Sequence, residues 1–357
     1  MARTEHGVPL APLTTMRVGG PAATLVTART EEEIVAAVRA ADEGGGPLLL
    51  LSGGSNLVIA DDGFPGTVVR IAAEGIEVLA QDEDAVEVRV AAGEVWDDVV
   101  ARAVAEGWSG IEALSGIPGL AGATPVQNVG AYGQEVAQTI VAVETWDRQE
   151  RRRVGFANAE AHFTYRNSVF KETGRYVVLS VTFRLERSGR SAPVAYADLA
   201  RQLGAEQGER APLAEVREAV LVQRGLRGMV LDPADHDTWS CGSFFTNPVV
   251  SEQEMDRLLE RAADRLGPDG PVPPVFPAGE GHRKTSAAWL IDKAGFGKGY
   301  AMPGPAALST KHTLAVTNRG GAAASDVAAL AREVRAGVQE AFGVTLANEP
   351  VFVGHEL

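Results

Sequence analysis

The sequence is poor in cysteine and in long apolar runs. Its one cysteine, Cys241, excludes an internal disulfide framework and fits a reducing compartment. No apolar run reaches membrane-spanning length, and residues 1–20 hold no run typical of a signal peptide, so we expect a cytoplasmic protein without membrane contact. The six histidines are scattered without pairs at helical spacing, and we therefore expect no metal site.

Positive charge is also scarce in this chain. The 357 residues include 33 basic and 47 acidic side chains, which gives a net charge of −14. The isoelectric point is near 5.0. This balance argues against a surface that binds nucleic acid, so an anionic ligand must meet a local cluster of positive groups.

Glycine is abundant, and one dense stretch covers residues 116–133, GIPGLAGATPVQNVGAYG. Glycine has no Cβ to hold a ligand away from the backbone, and the two prolines restrict the chain between close approaches. Polar groups of Thr124, Gln127, Asn128 and Tyr132 are interleaved with the glycines. The stretch is typical of a binding loop, although a plain turn between strands has the same composition.

A second glycine turn follows an apolar run in residues 47–56, PLLLLSGGSN. A buried strand that ends in small residues forms a nest of backbone N–H groups suited to phosphate oxygens. The sequence contains neither a Walker loop nor the GxGxxG pattern of a Rossmann fold.

Local patterns predict several helices and strands. A capping box that starts at Thr30 predicts a helix that stops at residues 44–46, and strands are expected at 48–51 and 67–71. The spacing of apolar residues predicts a long helix over 325–342, followed by a strand-like tail at 344–354.

Two segments carry groups suited to catalysis. Arg166 lies beside an aromatic residue in FTYRNSVFK, residues 163–171, between strands predicted at 140–145 and 177–185. Its planar guanidinium can bind a carboxylate through two hydrogen bonds. Ser243 lies in WSCGSFFTNP, residues 239–248, between a glycine and an apolar pair that can fix one donor in a dry pocket.

A nucleophilic role for this second segment is disfavoured. A serine nucleophile needs a basic partner, and His236 is near in sequence, but no GxSxG pattern is present. Cys241 is interpreted as a buried structural cysteine rather than a thiol nucleophile.

Five motifs in order resemble one enzyme family. The turns SGGSN and IPGLAGATPVQNVGAYG resemble the flavin-binding domain of the vanillyl-alcohol-oxidase-like class. Together with YRNS, GSFFTNP and KTSAAWLID, they resemble the UDP-N-acetylenolpyruvoylglucosamine reductase family, also called UDP-N-acetylmuramate dehydrogenase, in its type I form. The resemblance implies NADPH-dependent, FAD-mediated reduction of UDP-N-acetylglucosamine enolpyruvate to UDP-N-acetylmuramate in peptidoglycan precursor synthesis.

The resemblance also implies an α+β fold. A two-subdomain FAD-binding module of the PCMH/vanillyl-alcohol-oxidase-like type is expected over residues 1–72 and 73–222, with residues 343–357 returning to the second subdomain. A smaller α+β substrate-binding domain is expected over residues 223–342. We expect a monomer that binds the nucleotide sugar and NADPH.

The residues that match the family's motifs are expected to form the site. The resemblance implies catalytic roles for Arg166, Ser243 as proton donor, and Glu349. The expected FAD-binding residues are Gly53, Gly54, Ser55, Asn56, Gly119, Gly122, Thr124, Gln127, Asn128, Gly130, Ala131 and Tyr132. The expected substrate-binding residues are Tyr196, Arg227, Asn247 and Lys284.

The sequence departs from the family pattern at three places. Arg227 stands where lysine is expected, and Phe276 stands where relatives can offer a tyrosine hydroxyl. Pro350 and Val351 follow Glu349 in place of the usual valine and arginine, so a basic substrate contact is missing there.

Two other functions remain open at this point. A different FAD-dependent oxidase of the same cofactor fold would share the first two turns, but it has no reason to carry GSFFTNP and KTSAAWLID. A non-catalytic module that binds nucleotide sugars would need no flavin chemistry.

Overall fold

The computed structural model describes residues 2–171 and 174–357. The helices formed by these residues are α1 (Glu31–Gly44), α2 (Trp96–Ala105), α3 (Ala197–Leu203), α4 (Leu213–Gly225), α5 (Glu252–Leu266), α6 (Ala287–Ala294) and α7 (Ala324–Phe342). Judged over the same residues, no helix combines the length and the apolar character needed to cross a membrane.

The strands of the first two thirds of the chain are β1 (Arg3–Pro9), β2 (Pro21–Ala28), β3 (Leu48–Leu51), β4 (Leu57–Ile59), β5 (Phe64–Ile71), β6 (Ile76–Gln81), β7 (Ala85–Ala91), β8 (Trp108–Ser109), β9 (Gly130–Ala131), β10 (Gln134–Glu135), β11 (Ile140–Asp147), β12 (Arg152–Ala157) and β13 (Tyr176–Arg187). The later strands are β14 (Val249–Ser251), β15 (Val275–Pro277), β16 (His282–Thr285), β17 (Ala306–Leu308), β18 (Val316–Asn318) and β19 (Val351–Val353).

The chain divides into two compact units. The first comprises the described parts of residues 1–8, 22–54 and 65–226, and the second comprises residues 9–21, 55–64 and 227–357. The turn SGGSN therefore runs from the first unit into the second.

The first unit is built on two sheets. One has the strand order β1-β2-β5-β3, with β3 and β5 parallel, and the other has the order β12-β11-β13-β7-β6, with β8 paired to β13. Helix α2 and the larger sheet share a core that includes Trp96 and Phe183, whose ring centroids are 5.6 Å apart.

Helix α1 shows how the local sequence sets an element. The hydroxyl of Thr30 accepts the backbone N–H of Glu33 at 3.2 Å, and Gly45 ends the helix with a φ of +67°. These features satisfy the free backbone groups at both helix ends. Ile34 and Val38 are buried on its inner face, and each contributes about 1.5–3 kcal/mol by burial.

The second unit packs α5, α6 and α7 around one apolar core that includes Phe244, Phe245 and Phe342. Its strands form a sheet of order β14-β16-β15, the pair β17–β18 and the parallel pair β19–β4.

The patterns in the sequence predict α1, β3 and α7 correctly, and they miss β1 and β2. The proline-rich residues 267–281 contain the short strand β15. The division into three domains stays a prediction. Among the described residues, the tail strand β19 pairs with β4, which belongs to the second unit.

Candidate active site

The two glycine turns meet within the first unit. A Cβ added to Gly53 would lie 2.7 Å from the Cα of Gly119, so no side chain fits between the two backbones. Gly54 and Gly119 have φ angles of +59° and +127°, which glycine adopts at low cost. Two turns about 65 residues apart in sequence are therefore in backbone contact, as a shared binding site requires.

Hydrogen-bond donors are available at this contact. Across residues 2–171 and 174–357, the backbone N–H groups of Gly53 and Gly54 have no acceptor, and Gly54 is buried. The hydroxyl of Ser52 is buried and likewise has no partner within that part of the chain. Such donors suit the oxygens of an anionic ligand.

The middle of the long loop is shaped by close packing. A Cβ on Gly122 would lie 2.4 Å from the Cβ of Ala92, and Gly122 donates its N–H to the Ala92 carbonyl at 3.0 Å. Thr124 is buried and donates its hydroxyl to the Ala121 carbonyl at 2.8 Å. Gly122 and Thr124 therefore fix the loop's shape, and a ligand contact from either stays a prediction.

Asn128 has a structural use that the sequence did not indicate. Its buried amide donates to Glu135 Oε2 at 2.8 Å and to the Thr164 carbonyl at 3.2 Å, and it accepts the Ala137 N–H at 3.2 Å. The side chain thus holds a backbone turn with a φ of +45°. Its assignment as a ligand contact stays a prediction.

Arg166 lies against the same loop. Its guanidinium donates to the Gly130 carbonyl at 2.9 Å and to the Asn128 carbonyl at 3.4 Å. Its φ of +55° is uncommon for a residue with a side chain, and such conformations cluster at functional sites. The hydroxyl of Ser168 anchors the following residues by donating to the Val126 carbonyl at 2.7 Å. We call Gly53, Gly119, Gly130 and Arg166 the glycine cluster.

Tyr132, which is predicted to bind FAD, contacts Tyr196, which is predicted to bind the substrate, in the first unit. The rings of Tyr132 and Tyr196 pack edge to face with centroids 5.9 Å apart. Tyr196 is 53% exposed at the start of α3, where a ligand can reach it.

In the second unit, the structure brings Ser243 and Glu349 onto adjacent segments. Glu349 donates its N–H to the Phe244 carbonyl at 2.9 Å, and Thr246 donates its N–H to the Ala347 carbonyl at 2.9 Å. Phe244 is fully buried and Ser243 is partly exposed, so Ser243 lies at the edge of the apolar core.

Asn56 holds the other side of the glutamate's backbone. The side-chain amide of Asn56 donates to the Glu349 backbone carbonyl at 3.2 Å, and the backbone carbonyl of Asn56 accepts the Val351 N–H at 2.9 Å. Glu349 is therefore fixed between the Ser243 segment and Asn56. We call Asn56, Ser243, Phe244 and Glu349 the serine–glutamate cluster.

Cys241 is a buried structural cysteine, as predicted from the sequence. The residue is 9% exposed, and its thiol donates to the Leu57 carbonyl at 3.5 Å. Burial raises the pKa of the Cys241 thiol to about 12, so a reactive thiolate does not form near neutral pH.

The residues predicted to bind the substrate in the second unit lie on several elements. Asn247 accepts the N–H of Ala287 at the start of α6, at 3.0 Å. Lys284 lies in β16 opposite Phe276, which is 47% exposed. Arg227 is exposed and is the first residue of the segment 227–357 of the second unit.

His312 lies within electrostatic reach of Arg227, and no motif in the sequence marks it as a site residue. Burial first, and then the charges of Arg227 and Lys298, lower the pKa of His312. The imidazole is therefore neutral at pH 7, and Arg227 and Lys298 supply the positive charge of this region.

Comparison with known proteins gives a family match for each of two parts of the chain. The FAD binding domain family matches residues 22–152. The C-terminal domain family of UDP-N-acetylenolpyruvoylglucosamine reductase matches residues 232–353.

Whole proteins and a solved structure agree with these matches. A UDP-N-acetylenolpyruvoylglucosamine reductase of Streptomyces avermitilis is 60% identical over 354 residues, which cover 99% of this chain and 95% of that protein. One of Mycobacterium tuberculosis is 52% identical over 363 residues and covers 99% and 96%. The crystal structure of the Thermus caldophilus reductase matches with a TM-score of 0.66 and 27% identity over 99% of this chain and all of that one.

The α+β architecture and the FAD binding domain match define a flavoprotein of the PCMH/vanillyl-alcohol-oxidase-like class, as predicted. The chain is an FAD-dependent oxidoreductase. It belongs to the UDP-N-acetylenolpyruvoylglucosamine reductase family.

Proposed function

We propose that this chain reduces UDP-N-acetylglucosamine enolpyruvate to UDP-N-acetylmuramate with FAD and NADPH. Family membership supports the reaction, and the observation that carries it is the backbone pairing of the segment that contains Ser243 with the segment that contains Glu349. When bound, FAD supplies hydride transfer, since it accepts a hydride from NADPH and passes it to the enolpyruvyl double bond.

The glycine cluster fits the cofactor. The backbone N–H groups of Gly53 and Gly54 and the hydroxyl of Ser52 can donate to diphosphate oxygens, and the missing side chain of Gly53 lets the two turns touch. We assign FAD contacts also to Ser55, Asn56, Gly119, Gly122, Thr124, Gln127, Asn128, Gly130, Ala131 and Tyr132.

Three side chains are assigned to the chemical step. Hydride addition to the methylene carbon leaves negative charge that spreads onto the substrate carboxylate. The guanidinium of Arg166 stabilises that charge, and Glu349 does so as a hydrogen-bond donor in its protonated form. Ser243 then donates a proton to the adjacent carbon, which is a strong base.

Substrate binding is assigned to Tyr196, Arg227, Asn247 and Lys284. In a chain with a net charge of −14, the cations of Arg227 and Lys284 supply the local positive charge that a diphosphate needs. Phe276 has no hydroxyl to add to this set.

We further propose that the protein acts as a cytoplasmic monomer. Its reaction supplies a precursor of the cell wall, so its loss should disturb cell shape and division. Sedimentation of the purified protein and fractionation of cells test these assignments.

Anaerobic titration tests the proposed reaction. NADPH should remove the visible flavin absorption band, and the enolpyruvyl nucleotide should restore it. Ser243→Ala should keep flavin reduction by NADPH near normal while slowing reoxidation by the nucleotide by orders of magnitude. An equal loss in both half-reactions would exclude the assigned role of Ser243, and folded wild-type protein that takes up no FAD would exclude the proposed function.

A further inference from the structure

Glu112 is a buried carboxylate outside both clusters. The residue lies in the short 3₁₀ helix Glu112–Leu114 and is 1% exposed. Three N–H groups donate to it, from Gly110 to Oε2 at 2.7 Å, from the Gln134 amide to Oε1 at 2.8 Å, and from Ala192 to Oε1 at 2.7 Å. Because all three partners are donors, the site is built for an acceptor-only carboxylate.

The two donors that share Oε1 belong to segments that carry proposed ligand contacts. Gln134 follows Tyr132 by two residues, and Ala192 precedes Tyr196 by four. The Gln134 amide oxygen also accepts the Ala113 N–H at 2.7 Å, which fixes its orientation. One carboxylate oxygen of Glu112 therefore joins the end of the glycine loop to the segment that leads into α3.

The joined segments are also in direct contact. A Cβ on Gly133 would lie 2.5 Å from the Cβ of Ala195, and the rings of Tyr132 and Tyr196 are packed edge to face. Between β13 and α3 the described chain has no regular element, apart from an isolated bridge at Arg190. Backbone hydrogen bonds hold Ser191 and Val194 in this stretch, and the side chains of Glu112 and Gln207 add anchors at Ala192 and Ala195, the residues that lead to Tyr196.

We propose that Glu112 is a positioning residue for nucleotide-sugar binding. It acts through the spacing of Tyr132 and Tyr196 and does not itself touch the ligand. The inference rests on the proposed function, because that function assigns Tyr196 to the substrate.

The variant Glu112→Gln tests the proposal. A glutamine presents an NH₂ group in place of one oxygen, so at least one of the three donors loses its acceptor. We expect the Kd and KM for UDP-N-acetylglucosamine enolpyruvate to rise about tenfold or more. FAD content and the rate of flavin reduction by NADPH should stay within about twofold of wild type, because Tyr132 is only one of the residues assigned to FAD.

Two further variants separate positioning from general stability. Asp147→Asn changes another buried carboxylate of the first unit, and it should lower stability without changing the Kd for the nucleotide. In a Tyr196→Ala background, Glu112→Gln should change the Kd by less than about twofold, because its effect passes through Tyr196. If Glu112→Gln does not fold, Gln134→Met should weaken nucleotide binding in the same direction.

An unchanged Kd in folded Glu112→Gln would overturn the proposal, as would a full additional loss in the Tyr196→Ala background. Wild-type protein that holds no FAD or does not bind the nucleotide would instead overturn the proposed function. The two failures are therefore distinguishable.

Discussion

The glycine cluster and the serine–glutamate cluster are built in opposite ways. In the first, the useful groups are backbone amides, and Gly53 and Gly119 meet because neither has a side chain. In the second, Ser243 and Glu349 are placed by hydrogen bonds between extended segments. The first cluster should therefore fail when an atom is added, and the second when a hydrogen bond is removed.

Adding one methyl group at Gly53 should have the largest effect. In Gly53→Ala the new Cβ would meet the Gly119 backbone, which cannot rotate away as a side chain could, so we expect FAD content to fall at least about tenfold. The ratio of flavin to protein absorbance after purification measures this loss. Gly44→Ala is the matched control, since its Cβ would meet no atom within 4 Å. Full FAD content in Gly53→Ala would show that the turns are not held against each other.

Removing a hydrogen bond at Asn56 should have a smaller and more selective effect. Asn56→Asp replaces the donor to the Glu349 carbonyl with an acceptor, so we expect flavin reoxidation by the nucleotide to slow about tenfold. Flavin reduction by NADPH should change less, and stopped-flow absorbance measures both half-reactions. Thr246→Val is the control, because it removes a hydroxyl that donates to Ala347 on the same segment. Equal slowing of both half-reactions would show that Asn56 acts through its assigned FAD contact alone and does not hold the Glu349 segment.

The sequence predicted the elements whose determinants are local. The cap at Thr30 and the apolar spacing of α7 are such signals, and both helices form as expected. Strand β1 was missed because most of its residues are exposed, so it lacks the alternation that marks a half-buried strand. Its pairing with β2 is visible only in three dimensions.

The candidate site likewise contains features that local sequence patterns predict and features that only the three-dimensional structure shows. Composition predicted both glycine turns, but their contact joins residues too far apart in sequence for any local pattern to show. Asn128 was predicted as a ligand contact because its type is polar, and the structure uses its amide inside the loop. Glu112 was missed, since a lone glutamate gives no signal until the segments that donate to it are known.

A partly buried ion pair away from both clusters should affect stability alone. Asp147 accepts hydrogen bonds from Arg175 and from the N–H groups of Gln149 and Glu150. The Arg175 hydrogen bonds are the main cause that lowers the pKa of Asp147 to about 2. Asp147→Asn should reduce the free energy of unfolding by about 2 kcal/mol at neutral pH and leave both half-reactions unchanged.

The pH dependence of that difference follows from the sign of the shift. Because the pKa of Asp147 is lower in the folded protein than in the unfolded chain, its carboxylate stabilises the fold at pH values above the unfolded pKa, near 3.8. This stabilisation is lost as the pH falls through the folded pKa of about 2. Denaturant unfolding of wild type and Asp147→Asn across this range should give curves that converge on acidification. Curves that stay parallel would mean that Asp147 keeps its usual pKa.

The smallest expected effect concerns Cys241, which lies two residues from Ser243 but is buried where the serine is partly exposed. Because burial raises the thiol pKa to about 12, iodoacetamide at about pH 8 should leave the native thiol unmodified, and denatured protein should react fully. Mass spectrometry of the intact chain measures both states. Rapid labelling of the native protein would show that the segment around Cys241 opens. In that case the backbone hydrogen bond between Phe244 and Glu349 could not hold Ser243 in a fixed position.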